Sequence, residues 1–93
     1  MGKYHLILQP TAATDFAKHK KSGNKAIINK ILKILTELEA HPYVGTGKPE
    51  PLKHNLQGYW SRRISMEHRI IYRVEEKEVV VIIFSAMGHY LDK

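Results

Sequence analysis

The sequence predicts an α+β fold in which an N-terminal strand and two helices pack on one face of an antiparallel meander sheet. Three observations predict it. Apolar residues recur at three- and four-residue steps from Ile27 to Leu38, the mark of a helix with one buried stripe. After Gly58, three β-rich runs follow one another through short polar turns, as sequential antiparallel neighbours do. At the start of the chain, Tyr4, Leu6 and Leu8 alternate with His5, Ile7 and Gln9, which reads as a first strand.

The elements follow in order. Pro10 ends the first strand, and Thr11 is placed to cap a short helix reaching about Lys20. Ser22-Gly23-Asn24 closes that helix and offers Asn24 as the cap of the next. The second helix carries Ile27, Ile28, Ile31, Leu32, Ile34, Leu35 and Leu38, with Lys25, Lys30 and Lys33 largely on its solvent side. Pro42 stops it after His41. Gly45 to Pro51 is rich in Gly and Pro and reads as a surface loop. Three strands, Tyr59 to Ile64, His68 to Val74 and Val79 to Ser85, complete the chain. The last is apolar on both faces, as a central strand is.

With 93 residues the chain has the length of one domain, 1–93. Its 43% hydrophobic content supports a modest core and argues against a disordered tail. Fifteen Lys and Arg against nine Asp and Glu leave a net charge of +6, which suits RNA, DNA or an acidic protein. With no Cys, neither a disulfide framework nor a thiolate metal site can form. The start lacks the apolar region of a signal peptide and no run approaches the ~20 apolar residues of a membrane span, so the expected location is cytoplasmic, without a membrane partner.

The chain has no phosphate-cradling Gly loop, no helical His-Glu zinc pair and no Gly-x-Ser-x-Gly elbow, so no metal or cofactor is expected. His5, His19 and His41 lack ligand-spaced companions and read as surface or packing residues. The second half does suit one reaction. Cleaving an RNA phosphodiester with its own 2′-hydroxyl needs a base, an acid for the departing 5′-oxygen, and a cation for the phosphate. Glu50, His89 and Arg69 are the candidates. Strand parity puts Arg69, Ile71 and Arg73 on one face and Ile70, Tyr72 and Val74 on the core face, while Arg62 and Arg63 must point oppositely. Hairpin pairing sets Ile64, Arg69 and Phe84 in one row. A straight run from Phe84 to His89 would span about 16 Å at ~3.3 Å per residue, so Gly88 is assigned the turn that returns His89 over the sheet. Tyr59, Trp60 and Tyr90 are candidate base-stacking groups, with Trp60 read chiefly as core.

Lys48-Pro49-Glu50-Pro51-Leu52-Lys53-His54-Asn55-Leu56, Gly58-Tyr59-Trp60-Ser61-Arg62-Arg63-Ile64, Glu67-His68-Arg69 with Tyr72, and His89-Tyr90 together closely resemble the YoeB/Txe toxins. These belong to the RelE/ParE-like superfamily of bacterial toxin–antitoxin systems. The resemblance covers about half of the chain residue by residue. It implies a RelE-like fold and a ribosome-dependent endoribonuclease that cuts mRNA in the A site without a metal, held inactive by an acidic antitoxin of the YefM/Axe kind. Carried over by position, it makes Glu50 the general base, His89 the general acid, Arg69 the phosphate-stabilising cation and Tyr90 a supporting catalytic residue. It adds Lys53 and Arg63 as phosphate contacts and allows a homodimer. The chain departs from the pattern in having Ala86-Met87-Gly88 where relatives approach the His with more basic residues, and in adding Leu91-Asp92-Lys93 after the usual end. A ParE-like gyrase toxin and a non-catalytic RNA- or partner-binding module are the alternatives. The gyrase toxin would have no use for Glu50 and His89, and the binding module would rest on the basic sheet.

Overall fold

The computed structural model describes residues 3–88. The elements run β1 (His5–Leu8), α1 (Pro10–Ser22), α2 (Lys25–Ala40), β2 (Glu50–Pro51), β3 (Trp60–Arg63), β4 (Arg69–Glu75) and β5 (Val80–Ser85), with one 3₁₀ turn at His54–Leu56. They form a five-stranded sheet in the order β1-β5-β4-β3-β2. The strands β3 to β5 make the expected antiparallel meander; Glu50–Pro51, expected as part of a surface loop, instead adds β2 antiparallel to β3, and β1 joins the far edge parallel to β5, making the sheet mixed.

Helix starts differ in mechanism. Pro10 does not merely end the strand; it is the first residue of α1, after Gln9 as N-cap, and Thr11 lies inside the helix. Proline suits that place because its fixed φ is already helical and its missing N–H has no intrahelical partner to lose. The helix also runs two residues past Lys20 to Ser22, where Gly23 closes it in the left-handed conformation at φ +76°. Asn24 caps α2 as expected, its side chain accepting from the Ile27 N–H at 3.2 Å.

Both helices cover one face of the sheet. Ala12 of α1 and Ile31, Ile34 and Leu38 of α2 pack against Ile64, Ile70, Tyr72, Val81 and Ile83. Tyr4 and Ala86 close the ends of that core. Among the described residues no helix is long and apolar enough to cross a membrane.

A buried cation sits within this apolar layer. Arg62 on β3 is fully buried, and its guanidinium donates to the Glu37 carboxylate at 2.7 Å, to the carbonyls of His41 at 2.9 Å and Val44 at 2.8 Å, and to the Tyr72 hydroxyl at 3.3 Å. Tyr72 in turn donates to the Pro42 carbonyl at 2.7 Å. Glu37 also accepts from the backbone and hydroxyl of Thr46, both at 2.7 Å. Burial works to raise the Glu37 pKa, but the hydrogen bonds from Thr46 and the Arg62 guanidinium outweigh it and hold the carboxyl below its ordinary range. These bonds tie down the irregular chain between α2 and β2. Thus a core arginine fixes the loop from which Glu50 emerges.

Candidate active site

The face turned away from the helices carries the residues that parity assigns to it. Arg69 and Arg73 project from β4 beside Ser61 and Arg63 of β3, while Arg62 points into the core. The Arg73 guanidinium lies 5.9 Å from the centroid of the Tyr59 ring, and Tyr59 meets Phe84 edge-on at 5.1 Å. Trp60 instead packs against the core and against Tyr43, with ring centroids 5.1 Å apart. Its reading as core holds.

Strand pairing brings the acidic and cationic candidates together. Glu50 is opposite Ser61, and Arg63 is opposite Arg69. From there the Arg69 guanidinium reaches diagonally, donating to Ser61 Oγ at 3.3 Å and standing 3.6 Å from Glu50 Oε1. The Arg69 side chain is 12% exposed and that of Glu50 60%, so the pair presents a solvated carboxylate against a largely covered cation. Arg69 makes a further interaction besides these. A pocket of about 270 Å³ opens beside Glu50, lined also by Leu52, Lys53, His54, Asn55 and Leu56. Lys53 and Arg63 are both exposed. Among the described residues no group of three or more His, Asp or Glu side chains is placed to hold a metal ion together.

The expected row Ile64-Arg69-Phe84 is replaced by another. Arg69 pairs with Arg63, and a bulge at Ile71/Tyr72 shifts β5, so that Ser85 rather than Phe84 faces Ile71. The chain beyond β5 consequently runs alongside the start of β4, where the Arg69 N–H donates to the Gly88 carbonyl at 3.1 Å. The residue before His89 is thus hydrogen-bonded to Arg69 itself. Gly88 does have the left-handed backbone expected of it, at φ +71°. His89 and Tyr90 lie outside the described residues.

Four residues given no role by the sequence help to build this corner. Ser61 is fully buried and accepts from Arg69. Its parity with Arg63 was a usable signal. His68 accepts the Gly88 N–H on Nδ1 at 2.8 Å. Asp15 and His19, both buried on α1, bond to the backbone of Ala86. No local pattern marks bonds to a residue so distant in the chain.

With fold and site in view, the chain matches the model of the YoeB-like toxin of bacterial type II toxin–antitoxin systems over residues 8–90. The toxin YoeB of Escherichia coli strain CFT073 is 48% identical over 58 residues, spanning 62% of this chain and 69% of that protein. Among solved structures, a YoeB/ParE toxin from Agrobacterium tumefaciens superposes with a TM-score of 0.85 at 32% identity, covering 92% of this chain and 99% of that one. A YoeB-YefM complex from Staphylococcus aureus gives 0.76 at 38% identity, covering 94% and 98%. The family match spans nearly the whole sequence and the structural matches share both fold and residue identity, so this chain belongs to the YoeB-like toxins of bacterial type II toxin–antitoxin systems.

Proposed function

We propose that this toxin is an endoribonuclease that cleaves mRNA in the ribosomal A site by attack of the RNA 2′-hydroxyl, and that an acidic antitoxin restrains it. The observation that carries the reading is the Glu50–Arg69 pair, 3.6 Å apart on the sheet face turned away from the helices. Glu50 removes the 2′-proton, and the 2′-oxygen bonds to phosphorus as a cyclic phosphate forms. The bond from phosphorus to the 5′-oxygen breaks, and His89 supplies the proton that oxygen takes up. Arg69 stabilises the phosphate charge, Tyr90 supports the transfer, and Lys53 and Arg63 hold neighbouring phosphates.

Dependence on the ribosome follows from an unfilled requirement for alignment. A small site with a 60% exposed base gains rate when another body holds the RNA in line for attack. The net charge of +6 suits both a phosphate backbone and an acidic partner. A YefM partner is seen with the Staphylococcus aureus relative, and a YefM-like protein is the antitoxin we assign to this chain. A gyrase-poisoning role would leave the Glu50–Arg69 pair without a task.

Purified protein added to programmed ribosomes, with mRNA ends mapped by primer extension, tests the reading. Expected are cuts at A-site codons that vanish for Glu50→Ala and His89→Ala. Intact mRNA together with blocked supercoiling in a gyrase assay would replace this reading with the ParE-like one.

A further inference from the structure

We propose that Asp15, His19 and His68 are positioning residues which fix the backbone of residues 86–88 and so set how the chain delivers His89 to the Arg69 site. The proposal rests on the nuclease reading for the role of His89. It comes from three polar side chains, two of them buried, that the reaction does not use.

Asp15 and His19 are one helical turn apart on α1 and share a face. They are only 7% and 3% exposed. Burying an ionisable side chain is unfavourable unless hydrogen bonds compensate. Both spend those bonds on a single peptide-bearing residue. The Ala86 N–H donates to Asp15 Oδ2 at 2.9 Å, and the Ala86 carbonyl accepts from His19 Nε2 at 2.7 Å. The acceptor there is a carbonyl, so His19 carries its proton on Nε2. Ala86 is the residue immediately after β5, and α1 grips it at both of its polar groups.

Two residues further on, the grip passes to β4 and the residue before it. The Gly88 N–H donates to His68 Nδ1 at 2.8 Å, and the Gly88 carbonyl accepts from the Arg69 N–H at 3.1 Å. The His68 ring meets His19 edge-on at 4.8 Å, and its Nε2 lies 3.7 Å from Glu67 Oε1. A connecting segment can satisfy its backbone with water at the surface. Here four backbone groups of residues 86 and 88 are instead bound by helix, strand and two histidines. The last of these bonds comes from Arg69, the residue that faces Glu50. Fixing the segment therefore fixes its distance from the cation, and a 1 Å misplacement of a reacting group can cost ~10²-fold in rate.

The test separates positioning of an acid from general stability by changing the leaving group. Single-turnover cleavage on programmed ribosomes is measured for ordinary mRNA and for mRNA with sulfur in place of the 5′-bridging oxygen at the cut, a leaving group that needs no proton. His68→Ala is expected to lose ~10²-fold on ordinary mRNA and little on the thio substrate. His68→Asn, whose Oδ1 takes the place of Nδ1, restores ordinary cleavage to within a few-fold. The Gly88 amide, followed by hydrogen exchange, loses protection in the alanine variant and keeps it in the asparagine variant. Should His68→Ala not fold, His68→Gln, which moves the acceptor outward by one bond, gives the same comparison. Wild-type cleavage with equal cleavage by His68→Ala, or equal loss on both substrates, overturns the positioning role alone. Wild-type protein that cuts neither substrate overturns the nuclease reading and the positioning role together.

Discussion

The guanidinium of Arg69 stands 3.6 Å from the carboxylate of Glu50 and joins β4 to β2 across the intervening strand. The two side chains are kept apart in sequence and brought together only by the meander. If they act on one phosphodiester, Glu50→Gln and Arg69→Ala should each lower single-turnover cleavage by roughly 10²- to 10⁴-fold, the range for a lost proton-transfer or charge-stabilising group. Arg69→Lys should recover little, because an ammonium lacks the planar fork of donors that matches two phosphate oxygens at once. Full activity of the lysine variant would show that only a positive charge is needed.

Adjacent arginines should separate stability from binding. Arg62 is fully buried with Glu37, so Glu37→Ala should reduce folding stability by about 3–5 kcal/mol in urea unfolding, the penalty for leaving a buried charge unpaired. Exposed Arg63→Ala should change stability by less than about 0.5 kcal/mol. It should instead weaken RNA binding and reduce the salt dependence by ~0.7 in the log–log slope, as expected for one lost single-strand phosphate contact.

The pH dependence of stability has a defined sign. The folded-state pKa of Glu37 is lowered, so its contribution is complete above the unfolded carboxyl value of ~4.3 and disappears as pH falls through the folded value. Glu76, whose carboxylate accepts from the Tyr43 and Tyr4 hydroxyls and is likewise lowered, acts in the same direction. Thermal unfolding from pH 7 to 3 should show a falling Tm that is shallower in Glu37→Gln. An equally steep fall in that variant would remove Glu37 as a source.

Gly47 should tolerate no side chain. Its φ is +87°, and a Cβ there would lie 2.6 Å from the Arg63 carbonyl oxygen. The same glycine accepts the Arg63 N–H at 2.7 Å, so the loop and β3 must move together. Gly47→Ala should lower both stability and RNA binding, whereas Gly23→Ala, with the same backbone sign but open space, should affect stability alone. Unchanged binding in Gly47→Ala would detach Arg63 from the loop.

The sequence made the helices and the faces of the strands legible, because both rest on periodicity. The α2 stripe, the Asn24 cap and the opposite facing of Arg62 and Arg63 all follow from it. What escaped depends on contacts that periodicity does not encode. The bulge at Ile71/Tyr72 lies in a run of three apolar residues, Ile70 to Tyr72, which shows no break in alternation. Alternation says nothing of strand direction, so the parallel docking of β1 on β5 was invisible. The bonds from Asp15 and His19 to Ala86 cross 71 and 67 positions and carry no local signature. For the candidate site, parity was enough to place Ser61, Arg63 and Arg69 on one face, but the bonds that Ser61 and His68 make depend on cross-strand register, which alternation does not encode.

The central claim is cleavage by the RNA's own 2′-hydroxyl at the Glu50–Arg69 site. Its most direct measurement is single-turnover cutting of a ribosome-bound mRNA carrying one 2′-deoxynucleotide at the mapped position, with the product ends identified. The account predicts that the deoxy substitution abolishes that cut and that the unmodified mRNA yields a 2′,3′-cyclic phosphate with a 5′-hydroxyl. Cleavage persisting at the deoxy position, or a 5′-phosphate at the new end, would contradict it.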